Sequence, residues 1–82
     1  DEAVISGGYA NEVRGSHGVV PGGRFNQANG AYSFAAGYDA IAAHDGSFVW
    51  AGAPNPDIIF DYGATSTGTN QFVIRAQFQL LF

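Results

Sequence analysis

Apolar positions recur along the first two thirds of the chain with a period of fourteen to fifteen residues. Ala3-Val4-Ile5-Ser6-Gly7-Gly8 aligns with Gly18-Val19-Val20-Pro21-Gly22-Gly23, fifteen residues on. A third copy, Ser33-Phe34-Ala35-Ala36-Gly37, follows after a single-residue gap. A fourth, Ser47-Phe48-Val49-Trp50-Ala51-Gly52, begins fourteen residues later. Between the copies a second apolar position repeats as Val13, Ala28 and Ala42. Units this short are too small for helix pairs or propeller blades. They fit one coil of an all-β solenoid or β-roll, with two short strands and two turns.

Side chains along a strand alternate between faces. In the first wall Val4, Val19, Phe34 and Phe48 therefore stack in one column. Ile5, Val20, Ala35 and Val49 stack in the other. Both columns are apolar, so both faces are expected to be buried. The second wall reads differently. Its apolar column is flanked by Glu12 and Arg14, then by Gln27 and Asn29, which gives one buried face and one wet face. Ile41 and Ala43 interrupt the polar pattern, and Ile41 is read as local cover. A roll takes one face of each wall for its interior. The first wall is left with an apolar face that needs a partner, and copies of the same chain in closed symmetry are the simplest one.

Glycines mark the turns of the repeat. Gly8, Gly23 and Gly37 follow the first wall; Gly15 and Gly30 follow the second, with His44 in that place in the third unit. Pro21 cannot donate to a sheet ladder, so its strand loses a bond or bulges there. His44-Asp45-Gly46-Ser47 is a turn signal. The repeat is expected to stop after Trp50, which would cap the core. Ala53-Pro54-Asn55-Pro56-Asp57 reads as a loop, Ile58-Ile59-Phe60 as cover for the open end, and Asp61 to Thr69 as a second loop. From Gln71 to Phe82 apolar residues alternate, with Phe72, Ile74, Ala76, Phe78, Leu80 and Phe82 on one face, as in a half-buried strand. The expected organisation is one domain: repeats over residues 1–52, then a loop and a strand over 53–82 that cap the roll or lead out of it.

Composition narrows the function classes. The chain has 82 residues, 46% of them hydrophobic, and many of these are alanines of small volume. With 12 glycines there is much backbone freedom to freeze, so a chain of this size is marginal alone. It has no cysteine, which rules out a disulfide scaffold or thiolate metal site. Net charge is −4 with only three Lys and Arg side chains. That argues against nucleic acid and against an anionic membrane surface. No apolar run reaches the length of a membrane span, so this segment is not expected to insert in a membrane. No basic-then-apolar leader is present, and Asp1 is read as a cut from a longer chain.

Candidate chemistry is sparse. His17 and His44 occupy unequal places in their repeats, and no ligand cluster accompanies them; a turn or surface role outweighs catalysis. His44 beside Asp45 is not read as a dyad, because neighbours on a strand point apart. Asp39, Asp45, Asp57 and Asp61 lack the dense spacing of a calcium loop, and no metal or other cofactor is expected. Gly18 to Gly23 lacks the lysine and helix start of a phosphate cradle. No serine or threonine sits in a nucleophile elbow, so no catalytic residue is assigned. The repeat stacks Tyr9, Arg24 and Tyr38 along one corner, where an arginine between aromatics makes cation–π contact. Such a row suits a sugar or a collagen-like chain. Ladder stacking that stiffens the roll is the favoured reading of it.

Three runs resemble the YadA-like head repeats of trimeric autotransporter adhesins and related bacterial and phage fibre proteins. They are Ser6-Gly7-Gly8-Tyr9-Ala10-Asn11, Asn29-Gly30-Ala31-Tyr32-Ser33-Phe34-Ala35-Ala36-Gly37-Tyr38 and His44-Asp45-Gly46-Ser47-Phe48-Val49-Trp50-Ala51. The run from Ser66 to Ala76 is similar to what often follows those repeats. The resemblance implies a left-handed parallel β-roll in a homotrimer, with the apolar first wall facing the threefold axis. It implies extracellular display on a cell-surface or virion fibre. The family's repeat glycines fall on Gly8, Gly23 and Gly37, and its apolar strand positions on Val4, Val19, Phe34 and Phe48. The longer, proline-bearing segment from Ala53 to Gly63 and the apolar end from Gln77 to Phe82 depart from the family's pattern.

The expected function is therefore a non-enzymatic adhesive or structural module, with sister chains as partners and a host matrix protein or glycan as target. The alternatives are a phage tail-fibre segment, a ligand-free transition element, or a glycan-processing spike. The last needs paired carboxylates, for which Asp39 and Asp45 are the best candidates.

Overall fold

The structure, a computed structural model, describes residues 2–53 and 63–76. It is all-β, with no helix among these residues. Ten short strands follow in chain order. They are β1 (Val4–Ile5), β2 (Glu12–Val13), β3 (Val19–Val20), β4 (Gly23–Arg24), β5 (Gln27–Ala28), β6 (Phe34–Tyr38), β7 (Ala40–Ala42), β8 (Phe48–Ala51), β9 (Ala64–Thr65) and β10 (Phe72–Arg75). The chain passes back and forth between two sheets. The first runs β1-β3-β6-β8-β10, with β4 also on β6; the second runs β2-β5-β7-β9. Every pairing is parallel, an arrangement compatible with a β-roll.

Register reproduces the sequence repeat. Val4 lies on Val19, Val19 on Phe34, and Phe34 on Phe48. In the second sheet Glu12 lies on Gln27, and Gln27 on Ile41. The single-residue gap has a structural location. Val19 pairs with Phe34, fifteen residues on, but Gly23 pairs with Gly37, fourteen on. The extra residue is absorbed at Pro21-Gly22, between β3 and β4, where the expected bulge interrupts the strand.

The repeat does not stop after Trp50. Phe72 pairs with Phe48 and Ile41 with Thr65, so β9 and β10 extend both sheets. Both offsets are 24 residues, ten more than in the preceding winding, because a segment inserted between Ala51 and Gly63 masked the period. Ala64–Thr65, expected in a loop, is strand β9. The expected cover at Ile58-Ile59-Phe60 and the strand continuation over Gln77–Phe82 lie outside the described residues.

The interior is narrow. Val20, Ala28, Ala35, Ala40, Ala42, Val49 and Ala51 are fully buried and form the core, with Val13, Ala64 and Val73 packed on it. Small inward side chains let the two sheets approach closely, and they also limit the energy available. Each fully buried valine contributes about 1.5–3 kcal/mol, and each alanine less. The larger apolar residues point the other way. Val4 is 48% exposed and Phe72 68% exposed. The expectation that both faces of the first wall are buried thus holds within this chain for the inward column only. Ile5 belongs to that inward column but is exposed, since it lies in β1 at one end of the sheet. Over Phe72–Arg75 the strand alternation is as expected, yet its more apolar face is outward: Val73 joins the core while Phe72 and Ile74 extend the outside of the wall.

Sharp corners join the sheets. At one corner Ala10, Phe25, Asp39 and Gly63 occupy equivalent places; at the other, His17, Tyr32, Gly46 and Asn70 do. All eight have φ between 55° and 73°. For a non-glycine residue this left-handed conformation costs about 1–2 kcal/mol, so the corners store strain that the ladder must outweigh. Close approach is the second demand. Gly37 has a φ of 100°, and a Cβ added to it would overlap the Ala51 carbonyl of the next winding.

Candidate functional site

The corner between the first and second sheets gathers the predicted row. Tyr9 bridges to Arg24, and Arg24 pairs with Tyr38. The Arg24 guanidinium carbon lies 5.1 Å from the centre of the Tyr9 ring. Phe25, missed in the sequence reading, completes the cluster. Arg24 also lies 4.8 Å from the Phe25 ring, which meets Tyr9 and Tyr38 edge-on at 5.9 and 6.1 Å. A ring next to an arginine in sequence normally points away from it. The left-handed turn at Phe25 bends the backbone so that both side chains share one surface. The cluster is wet: Tyr9 is 63% exposed, and Arg24 and Phe25 are exposed as well.

Behind this corner runs an asparagine ladder. Asn26 is fully buried. The two N–H groups of its Nδ2 are shared among three acceptors, the Gly37 carbonyl at 2.9 Å, the Gly22 carbonyl at 3.0 Å and Asn11 Oδ1 at 3.1 Å. Its Oδ1 accepts from the Ala40 amide at 2.9 Å. Asn11 Oδ1 in turn accepts from the Asn26 amide at 3.0 Å, and its Nδ2 donates to the Gly7 and Gly23 carbonyls. Each side chain thus satisfies backbone groups of its own winding and the next, which a buried corner requires. The signal was present in the sequence as the aligned Gly7…Asn11 and Gly22…Asn26 pairs. Its chemistry became legible only once the windings were stacked.

The outward face of the first sheet is the other candidate surface. Phe34 stacks on Phe48 with ring centres 4.3 Å apart, and Phe48 on Phe72 at 4.5 Å, the three rings nearly parallel. Val19 and Val4 continue this column. A second column runs Ala36, Trp50, Ile74. Trp50 does not cap the core as expected; it stands on the outward face, 41% exposed. Pro21, Gly22, Gly23, Ala36, Gly37 and Trp50 line a shallow apolar groove of about 300 Å³ there. Of the residues assigned to an interface or core, Val4, Val19, Phe34 and Phe48 take the outward column, and Ile5, Val20, Ala35 and Val49 the inward one. Gly8, Gly23 and Gly37 line one corner and Gly15 and Gly30 the other, each backed against the next winding.

The remaining candidates are dispersed. His44 and Asp45 lie in a turn rather than on a strand, and they do not partner one another. His44 Nδ1 is 2.8 Å from Ser66 Oγ, while Asp45 Oδ1 accepts from the Ala31 amide. His17 stacks flat on Tyr32 at 5.0 Å and lies 3.6 Å from Glu2. Asp39 and Asp45 sit at opposite corners, with β7 between them. No group of three metal-ligating side chains occurs among the described residues. Asp57 and Asp61 lie outside the described residues. No protein-family model, no characterised protein and no solved structure matches the chain.

Proposed function

We propose that this chain is a structural and adhesive module of an extracellular trimeric fibre, similar to a YadA-like head. In this reading the windings form a left-handed parallel β-roll. Three copies pack their first sheets around a common axis, and the corners and second sheets present a rigid surface to a host matrix protein or glycan. The module sits at a cell surface or on a virion fibre and turns over no substrate.

One observation carries the proposal. The outward side of the first sheet is a continuous apolar column, from Val4 to Phe72, while the chain's own core is built of alanine and valine. An apolar stripe of that length marks an interface, and a face shared by identical chains closes by symmetry. The second sheet supports the same orientation, since Glu12, Arg14, Gln27 and Asn29 make it the wet side. The glycan-processing alternative draws no support from Asp39 and Asp45. Retaining or inverting hydrolysis needs two carboxyl groups roughly 5–9.5 Å apart across one sugar, and these two flank a strand at separate corners.

The test is solution mass together with denaturation at several protein concentrations. Trimer and fold forming together make the midpoint rise with concentration. A monomer whose midpoint ignores concentration removes the proposal.

A further inference from the structure

The three arginines of the chain differ in their company. Arg14 pairs with Glu12 at 3.2 Å, and Arg75 reaches the Gly52 carbonyl at 3.3 Å. Arg24 has no carboxylate partner among the described residues. Its guanidinium is instead held against the Tyr9 and Phe25 rings. Ring contact restrains the group, and the exposure of Arg24 leaves its N–H groups open to solvent. That is the preorganised fork that grips a carboxylate through two parallel hydrogen bonds.

Phe25 is the second observation. In the other windings its place is held by Ala10, Asp39 and Gly63. A bulky residue at positive φ is a backbone outlier, and such outliers persist where function or packing holds them. Here the strained residue adds little to the core, since its side chain is exposed. What it adds is a second ring beside Arg24.

We propose that this corner binds an acidic sugar, a uronic or sialic acid unit of a surface glycan. Arg24 takes the carboxylate, and the Tyr9 and Phe25 rings hold the sugar faces beside it, with Tyr38 extending the platform by one winding. Successive windings are about 4.8 Å apart, so Tyr9 to Tyr38 spans on the order of 10 Å, room for a disaccharide. The chain's net charge of −4 and its total of only three Lys and Arg side chains fit one carboxylate rather than a polyanion such as a sulfated chain or nucleic acid. This assignment rests on the adhesive reading for its purpose, but not for its geometry, because the whole site lies within one chain.

The experiment is an NMR titration of the labelled protein with 3′-sialyllactose and digalacturonate, with lactose as the neutral control. The Arg24 side-chain N–H and the Tyr9, Phe25 and Tyr38 amides are expected to shift with the acidic sugars and not with lactose. Arg24→Gln is expected to weaken acidic-sugar binding about tenfold or more, the loss of a charge-assisted pair. Arg24→Lys recovers only part, because the fork is lost. Phe25→Gly relieves the backbone strain and should also weaken binding while the fold persists. Equal response to lactose, an unchanged affinity in Arg24→Gln, or equally tight binding of an aspartate-bearing peptide overturns the proposal. Solution mass is read on the same samples. A monomer that still binds acidic sugar through Arg24 refutes the trimeric fibre and leaves this site standing; a trimer that ignores acidic sugar does the reverse.

Discussion

Phe34 and Phe48 stack flat, 4.3 Å apart with ring planes 4° apart, yet both lie on the outside of the wall whose inside is filled by Ala35 and Val49. A chain that places its phenylalanines outside and its alanines inside gains little from folding alone. The stacked rings shield one another but leave a broad apolar face, which Phe72 extends.

Phe48→Ala therefore separates two situations. On an exposed face it removes two ring contacts, each about 0.5–1.5 kcal/mol. Buried between copies it costs about 3–5 kcal/mol per protomer, as core aromatic truncations do. The larger loss is expected, read by chemical denaturation, with a fall in assembled mass at low concentration.

Asn26→Ala removes a buried amide whose partners lie in two windings. It leaves the Ala40 amide without its side-chain acceptor and takes the side-chain donor from the Gly22 and Gly37 carbonyls. An unsatisfied buried group costs about 1–3 kcal/mol, so a loss at the upper end of that range is expected. Asn26→Asp keeps the acceptor but cannot donate when ionised, and should be no better than alanine at neutral pH. Thermal melts of both variants check this. A loss near zero would mean that the ladder is ornamental.

Two glycine exchanges should act in opposite directions. Gly37→Ala places a methyl group on the Ala51 carbonyl at a φ of 100° and should cost several kcal/mol, about as much as a severe core mutation. Ala10→Gly relieves a left-handed alanine at an exposed corner with φ of 56° and should stabilise by about 0.5–1 kcal/mol. For a domain of this size that is roughly 4–8 °C in Tm per kcal/mol.

Removing ten residues between Gly52 and Gly63 restores the fourteen-residue offset that Phe34 and Phe48 already show. The shortened chain should keep both parallel sheets, seen as an unchanged far-ultraviolet circular dichroism spectrum. Loss of β structure would contradict the register of β8 and β10.

Much of the first fifty residues was legible because apolar columns at a fixed spacing report register directly. Val4, Val19, Phe34 and Phe48 fell in line as read, and Pro21 marked its bulge. The last winding was hidden by simple arithmetic: ten inserted residues moved Phe72 to an offset of 24, where no repeat was sought. Trp50 reads as a cap only while the repeat is taken to end beside it; with Ile74 paired alongside, it is one more outward position of the wall. In this parallel sheet, position in the alternation decides which face a large side chain takes. Phe25 was invisible for a different reason. Its contact with Arg24 depends on a left-handed turn, and no hydrophobic pattern announces that a phenylalanine will accept one.

The account turns on whether the outward face from Val4 to Phe72 is covered by sister chains. Light scattering at micromolar concentration measures this most directly. A mass three times the 8.6 kDa of one chain is predicted, falling toward one chain in Phe48→Ala. A wild-type mass of 8.6 kDa, with the fold intact, would contradict it.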